Sequence, residues 1–204
     1  MGHACFSIEH KGWTVVIDPY NSDYTTGYPL LKVKADTLLV SHEHYGHNYR
    51  EGVILSGRPQ NECPFEITTL EVDHDSVGGI MRGTCLIHVL EADGLKVAHM
   101  GDIGTVLTGR DLSTLFGADA LMVTAGSCRG LPAQEVWRLT EEIFPKAIIP
   151  MHYRFGNHGP RRLEHLENLI NCYESPDLAK YYDTNTIVID EDTEPQIAVL
   201  KYIP

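Results

Sequence analysis

The sequence has no apolar run near membrane-span length, no paired cysteines and comparatively few basic residues. Each shortage removes a class of function. Without about 20 consecutive apolar residues, no helix is expected to cross a bilayer. The first residues show neither the basic nor the apolar region of a signal peptide, so a cytoplasmic chain is expected. The five cysteines, Cys5, Cys63, Cys85, Cys128 and Cys172, are scattered and odd in number. They argue for a reduced chain and against a disulfide scaffold. Acidic residues outnumber basic ones 28 to 16, a formal net charge of -12. Such a field repels phosphate backbones and anionic lipid, which disfavours nucleic acid and membranes as general partners. No glycine-rich loop opens a helix, so a dinucleotide-binding reading finds no support. No Gly-x-Ser-x-Gly element supplies a serine nucleophile.

What is present is an ordinary globular composition over 204 residues, 43% hydrophobic and 22% charged. That suits one domain spanning residues 1–204 with a sizeable core. Short β-branched or apolar runs predict strands at Thr14 to Ile17, Thr37 to Val40, Val53 to Leu55, Phe65 to Leu70, Cys85 to Leu90 and Leu95 to His99. Asp93-Gly94 reads as a two-residue hairpin turn between the last two. Further strands are predicted at Ala118 to Val123, Ala147 to Ile149, Thr186 to Ile189 and Ile197 to Tyr202. A helix is expected from about Pro132 to Phe144, because Val136, Leu139 and Ile143 share one face and Pro145 stops it. A second is expected over Arg161 to Tyr173. Many strands with a few helices predict an α/β layered domain. The hairpin signals count against a doubly wound parallel sheet.

Eleven histidines are the unusual feature, and their positions carry the chemistry. The strand at Thr37 to Val40 runs directly into His42-x-His44-x-x-His47. Imidazole is the commonest ligand for borderline metals, and a hydrolytic site needs several such ligands plus an open position. Two histidines at i and i+2 past a strand end can aim at one point, and loops at strand ends are where ligands concentrate. His74, in Val72-Asp73-His74-Asp75, and His152, ending the run Pro150-Met151-His152, also follow strands. Asp102, in Gly101-Asp102, follows another. Taken singly, Asp102 reads equally well as a turn residue and His152 as a buried histidine bonded to backbone. Their shared placement at strand ends favours a joint role.

Gly2-His3-Ala4, the histidine cluster, His74-Asp75, Gly78-Gly79, Arg82-Gly83, Gly101-Asp102 and Pro150-Met151-His152-Tyr153 occur in an order that resembles the metallo-β-lactamase superfamily. The branch they resemble is the small bacterial metal-dependent hydrolases that include L-ascorbate-6-phosphate lactonase-like proteins. The resemblance implies a four-layer αβ/βα sandwich with metals at one edge, between the sheets. It implies that His42, His44 and His74 hold one metal, and that Asp102 bridges to a second bound also by His47 and His152. Asp102 and His152 would then serve the reaction as well as the metals. His3 would pack near the site, and His99 would be buried.

Two departures from the family pattern stand out. The family reads His-x-His-x-Asp-His, whereas this chain has Gly46 where the aspartate belongs. Loss of an anionic ligand is expected to weaken the second position, leaving one or two ions. Glu43, Asp75 or a water are candidates to fill the gap. The family also places a short strand before Gly-His-Ala, and here that edge strand is expected to be truncated.

The leading expectation is a zinc-dependent hydrolase, with manganese or iron as alternatives. It would act on a small ester, lactone or phosphodiester through a metal-activated water. Arg82, Arg154, Arg161 and Arg162 are candidates for contact with an anionic substrate, with Arg82 and Arg154 preferred, because guanidinium suits carboxylate and phosphate. A non-catalytic metal- or ligand-binding protein is the alternative that Gly46 motivates. A di-iron oxidoreductase on the same scaffold is a third, disfavoured by the scarcity of carboxylate ligands.

Overall fold

A computed structural model describes residues 1–125, 130–173 and 176–203; Cys128 lies outside them. The strands are β1 (Phe6–His10), β2 (Trp13–Ile17), β3 (Val33–Ala35), β4 (Thr37–Leu39), β5 (Val53–Leu55), β6 (Glu66–Asp73), β7 (Thr84–Ala92), β8 (Leu95–His99), β9 (Ala120–Thr124), β10 (Ala147–Met151), β11 (Ala179–Tyr181) and β12 (Gln196–Val199). The helices are α1 (Gly109–Leu115), α2 (Ala133–Ile143) and α3 (Leu166–Ile170). Seven strands form the main sheet in the order β11-β12-β10-β9-β8-β7-β6, and β1-β2-β4 form a small one. The main sheet is mixed: β6, β7 and β8 are antiparallel, while β8, β9, β10, β12 and β11 pair in that order in parallel.

Strand alternation assigns the layers. In β9, Leu121 and Val123 face a core shared with Leu115, Val136, Leu139, Ile143 and Leu169 of the three helices. Ala120 and Met122 face the other way, onto a second core with Ala4, Phe6 and Ile8. Both faces are buried, which explains why β9 and β10 read as unbroken apolar runs rather than alternating ones. The small sheet meets the main one through Trp13, Val15, Ile17 and Leu90. Val16, on its far face, packs against Tyr20, Tyr28, Leu31 and Ala35. The α/β sandwich expected from sequence is present, but the layer over the far face of the small sheet is built from loops and the two-stranded β3-β5 sheet.

The hairpin at Asp93-Gly94 forms as expected, with φ of 50° and 84° at its two central residues. A second one, Lys11-Gly12, joins β1 to β2 with φ of 49° and 70°. Two expected elements differ. The C-terminal helix contracts to α3, because Arg154 and His165 bridge and hold residues 161–165 in a turn. Residues 186–189 form no ladder; Ile187 and Ile189 pack on the second core while Val188 is exposed. Their alternation is real, but it docks a strap instead of a strand. Among the described residues no helix is long and apolar enough to cross a membrane.

Candidate metal centre

Five strands deliver their first following residues to one place. Asp18 follows β2, the Ser41 to His47 loop follows β4, His74 follows β6, Asp102 follows β8 and His152 follows β10. Ligands gather at the carboxyl ends of strands because the backbone there is released from the ladder and the side chains can converge. Asp18 and His152 adopt left-handed backbone, with φ of 50° and 54°. Such conformations in non-glycine residues cost on the order of 1–2 kcal/mol and persist where the surrounding structure over-determines them.

The imidazoles form a continuous group. His42 lies with its ring centroid 4.7 Å from His44, 4.2 Å from His47 and 4.4 Å from His74. His47 and His152 are 5.0 Å apart. One ring nitrogen from each of His42, His44 and His74 falls within 4.8 Å of the other two, and the same holds for His3, His47 and His152. Asp102 stands between the two sets. Its Oδ2 is 3.7 Å from His74 Nε2, and its Oδ1 is 3.3 Å from His152 Nδ1.

Hydrogen bonds behind the rings fix which nitrogen faces inward. Asp18, fully buried, accepts from the Ser41 amide and hydroxyl, both at 2.6 Å, and from His47 Nδ1 at 2.8 Å. Because the Ser41 hydroxyl donates to Asp18, it accepts from His42 Nδ1 at 2.9 Å. His74 Nδ1 donates to the Asp102 carbonyl. All three rings therefore carry their proton on Nδ1 and turn Nε2 toward the cleft, that of His74 accepting from the Arg82 guanidinium at 2.8 Å. Carboxylate-histidine arrangements of this kind orient metal-binding imidazoles and raise their basicity. His99 is buried as expected and has a structural task. Its Nε2 donates to Ala4 O at 2.9 Å, and its Nδ1 accepts from the Gly101 amide at 3.1 Å, tying the Asp102 turn to the N-terminal segment.

The residues fit a divalent cation. His42 Nε2, His152 Nδ1 and Asp102 Oδ1 are buried without a hydrogen-bond partner among the described residues. Such atoms cost about 1–3 kcal/mol each when left unmade, so their convergence needs an occupant. Burial, reinforced by His47, lowers His42 to about 2, and burial with His74 lowers His44 to about 4. Both are neutral at pH 7, the form that ligates. Burial alone would raise the Asp102 carboxyl, but His152, His47 and His74 outweigh it and hold the group well below the ordinary range. Cys85 touches the site through its Sγ, which accepts the Asp102 amide at 3.1 Å. Burial pushes its thiol up to about 12, so in the metal-free protein it is a neutral thiol packed behind Asp102.

All six sequence-predicted ligands, His42, His44, His47, His74, Asp102 and His152, come together. Arg82 joins them: its guanidinium is 2.8 Å from His74 Nε2 and 3.8 Å from Asp102 Oδ2. Arg154 does not. The bridge to His165 turns it into a separate hollow with Phe155 and Leu166, and Arg162 lines the cleft instead. Neither candidate carboxylate fills the gap at Gly46. Glu43 is exposed and paired with Arg50 at 2.5 Å and 2.9 Å. Asp75 accepts from the amides of Val77, Gly79, Met81 and Arg82, which shapes the loop carrying Arg82. Asp18 and Ser41 were missed, and Arg162 was ranked behind Arg82 and Arg154. Asp18 carried the same signal as the others, a polar residue closing the β-branched run Thr14 to Ile17. The cleft has a volume of about 480 Å³, with Tyr24 and Tyr45 stacked at 4.2 Å on its wall.

Residues 1–152 match the family model described as the beta-lactamase superfamily domain. A UPF0173 metal-dependent hydrolase from Thermoplasma volcanium is 53% identical, across 84% of this chain and 91% of that protein. A second, from Caldivirga maquilingensis, is 24% identical over 86% and 88%. Among solved structures, a Thermotoga maritima protein of the metallo-beta-lactamase superfamily superposes with a TM-score of 0.71. It is 26% identical and covers 98% of this chain and 95% of its own.

Proposed function

Since this chain belongs to the metallo-β-lactamase superfamily, we propose that it is a metal-dependent hydrolase with zinc as its ion and a small anionic ester, lactone or phosphodiester as its substrate. The supporting observation is the convergence of buried, unpartnered ligand atoms on His42, Asp102 and His152 in one open cleft. His42, His44 and His74 would hold one ion and His47 and His152 another, with Asp102 standing between the two sets. An imidazole-rich set with a single carboxylate suits zinc better than magnesium or calcium, and is poor in carboxylates for a di-iron centre.

A divalent cation held there supplies Lewis acidity and lowers the pKa of water to roughly 7. The protein's own residues do the rest. Asp18 and Ser41 keep His42 and His47 in the ligating tautomer. Arg82 and Arg162 place two guanidinium groups on the cleft wall, where they would hold a carboxylate or phosphate of the substrate. No protein nucleophile is needed. Metal binding without turnover was motivated by Gly46, and the imidazole that stands in that space, described below, removes much of the motive.

The test is elemental analysis of protein purified without added metal, followed by assay against esters, lactones and bis-p-nitrophenyl phosphate. Stoichiometric zinc and metal-dependent turnover abolished by His42→Ala are expected. Protein that binds zinc but turns over none of these classes would favour the binding-only reading.

A further inference from the structure

The space left by Gly46 is filled by His3. A Cβ at position 46 would stand 2.9 Å from His3 Nε2 and 3.8 Å from Thr25 Cγ2. A contact of 2.9 Å is closer than such atoms approach, so a side chain at 46 would require this imidazole to shift from its place. His3 is 6% exposed, and its Nδ1 has no hydrogen-bond partner among the described residues. Its ring lies 4.4 Å from that of His152 and 5.3 Å from that of His47. One nitrogen from each of the three falls within 4.8 Å of the others.

The backbone is built to put His3 there. His3 has a φ of 56°, a strained setting for a side chain with a Cβ. Gly2 before it has a φ of 146° and lies against Tyr28, whose ring carbons would be 2.7 Å and 2.8 Å from any Cβ. The His3 carbonyl accepts the His152 amide at 2.9 Å, and His99 holds the next residue through Ala4 O. Two left-handed residues, His3 and His152, are thus bonded to each other and turned toward one point. A buried imidazole with a free nitrogen, held in strained backbone beside two others, needs more than packing to explain it.

We propose that His3 takes the place of the absent side chain at position 46 as a metal ligand, completing a His3-His47-His152 site for a second divalent cation beside Asp102. The inference rests on the reading of the cleft as a metal centre, but concerns a separate ligand. It replaces an anionic ligand by a neutral one, which lowers the charge the protein brings to that ion and leaves the site dependent on Asp102 for its negative charge.

Zinc titrated into chelator-stripped protein, read by elemental analysis and by competition with a colorimetric chelator, tests it. Wild-type protein is expected to hold two zinc ions per chain. His3→Ala should hold one, with affinity for the other lowered about 100-fold or more, because even outer partners of ligands are worth 10–100-fold. His3→Ala combined with Gly46→Asp should regain the second ion, the aspartate entering the space the imidazole leaves. Gly46→Ala keeps every ligand yet pushes on His3, and should weaken the second ion alone. That variant carries the test if His3→Ala does not fold. Two ions of unchanged affinity in His3→Ala or Gly46→Ala would overturn the role of His3 and leave the hydrolase reading intact. One ion in wild type, unaltered by either substitution, would do the same. No bound zinc in any form would overturn both.

Discussion

At the scale of single residues, the site depends on which nitrogen each imidazole presents. Asp18 sets this for His47 directly and for His42 through the Ser41 hydroxyl. Asp18→Asn keeps the shape but turns an acceptor into a partial donor, leaving both rings without a defined tautomer. Zinc affinity is expected to fall roughly 10–100-fold by chelator competition, with little change in the circular dichroism spectrum. The histidines also fix a pH dependence. His42 and His44 have folded values of about 2 and about 4, below the ordinary 6.5. Above pH 6.5 neither state binds these protons and the groups contribute nothing to pH dependence. Below it the unfolded chain binds protons that the folded one refuses, so stability falls as pH drops from 6.5 toward 4. Melting temperatures of metal-free protein should be flat from pH 7 to 8 and decline through that window. A melting temperature that rises on acidification would contradict the burial of His42 as a neutral ligand, the exposed His44 contributing less. The cluster, Asp102 and His152 were legible in sequence because each ends a strand. The resemblance placed His3 near the site, but its proposed part as a ligand rests on a contact with Gly46, 43 positions away, that no local pattern encodes.

At the scale of elements, the loop after β6 is the part that brings Arg82 to the cleft. Its backbone is gathered by one side chain, Asp75, through four amides, and it carries Arg82 inward while Ile80 and Met81 stay exposed. Asp75→Ala is expected to free this loop without touching a ligand. Limited proteolysis should then cut between residues 76 and 83, KM for an anionic substrate should rise, and zinc per chain should stay as in wild type. Loss of zinc in that variant would mean Asp75 acts on the metal centre instead. The strands and α2 were readable from periodicity and turn chemistry, down to the Asp93-Gly94 hairpin. The hairpin at Lys11-Gly12 was missed because lysine is not among the residues that favour positive φ. Residues 186–189 alternate like a strand yet pair with nothing, because alternation reports which side chains are buried and not where the backbone bonds go.

At the scale of the whole molecule, two electrical features oppose each other. The chain carries a formal charge of -12, while the cleft wall presents Arg82 and Arg162. An anionic substrate is therefore repelled at long range and attracted at contact. Salt separates the two: with a Debye length of about 10 Å at 0.1 M, it screens the distant field far more than a guanidinium within bonding distance. If the substrate is anionic, kcat/KM for a phosphodiester should rise as ionic strength increases from about 0.01 to 0.15 M. A neutral lactone measured alongside should show no such rise. Arg162→Ala should lower kcat/KM for the phosphodiester and leave the lactone unaffected, which distinguishes a contact from a change in the cleft's shape. Equal losses on both substrates would remove Arg162 from substrate recognition, and with it the physical ground for an anionic preference in a protein whose surface otherwise turns anions away.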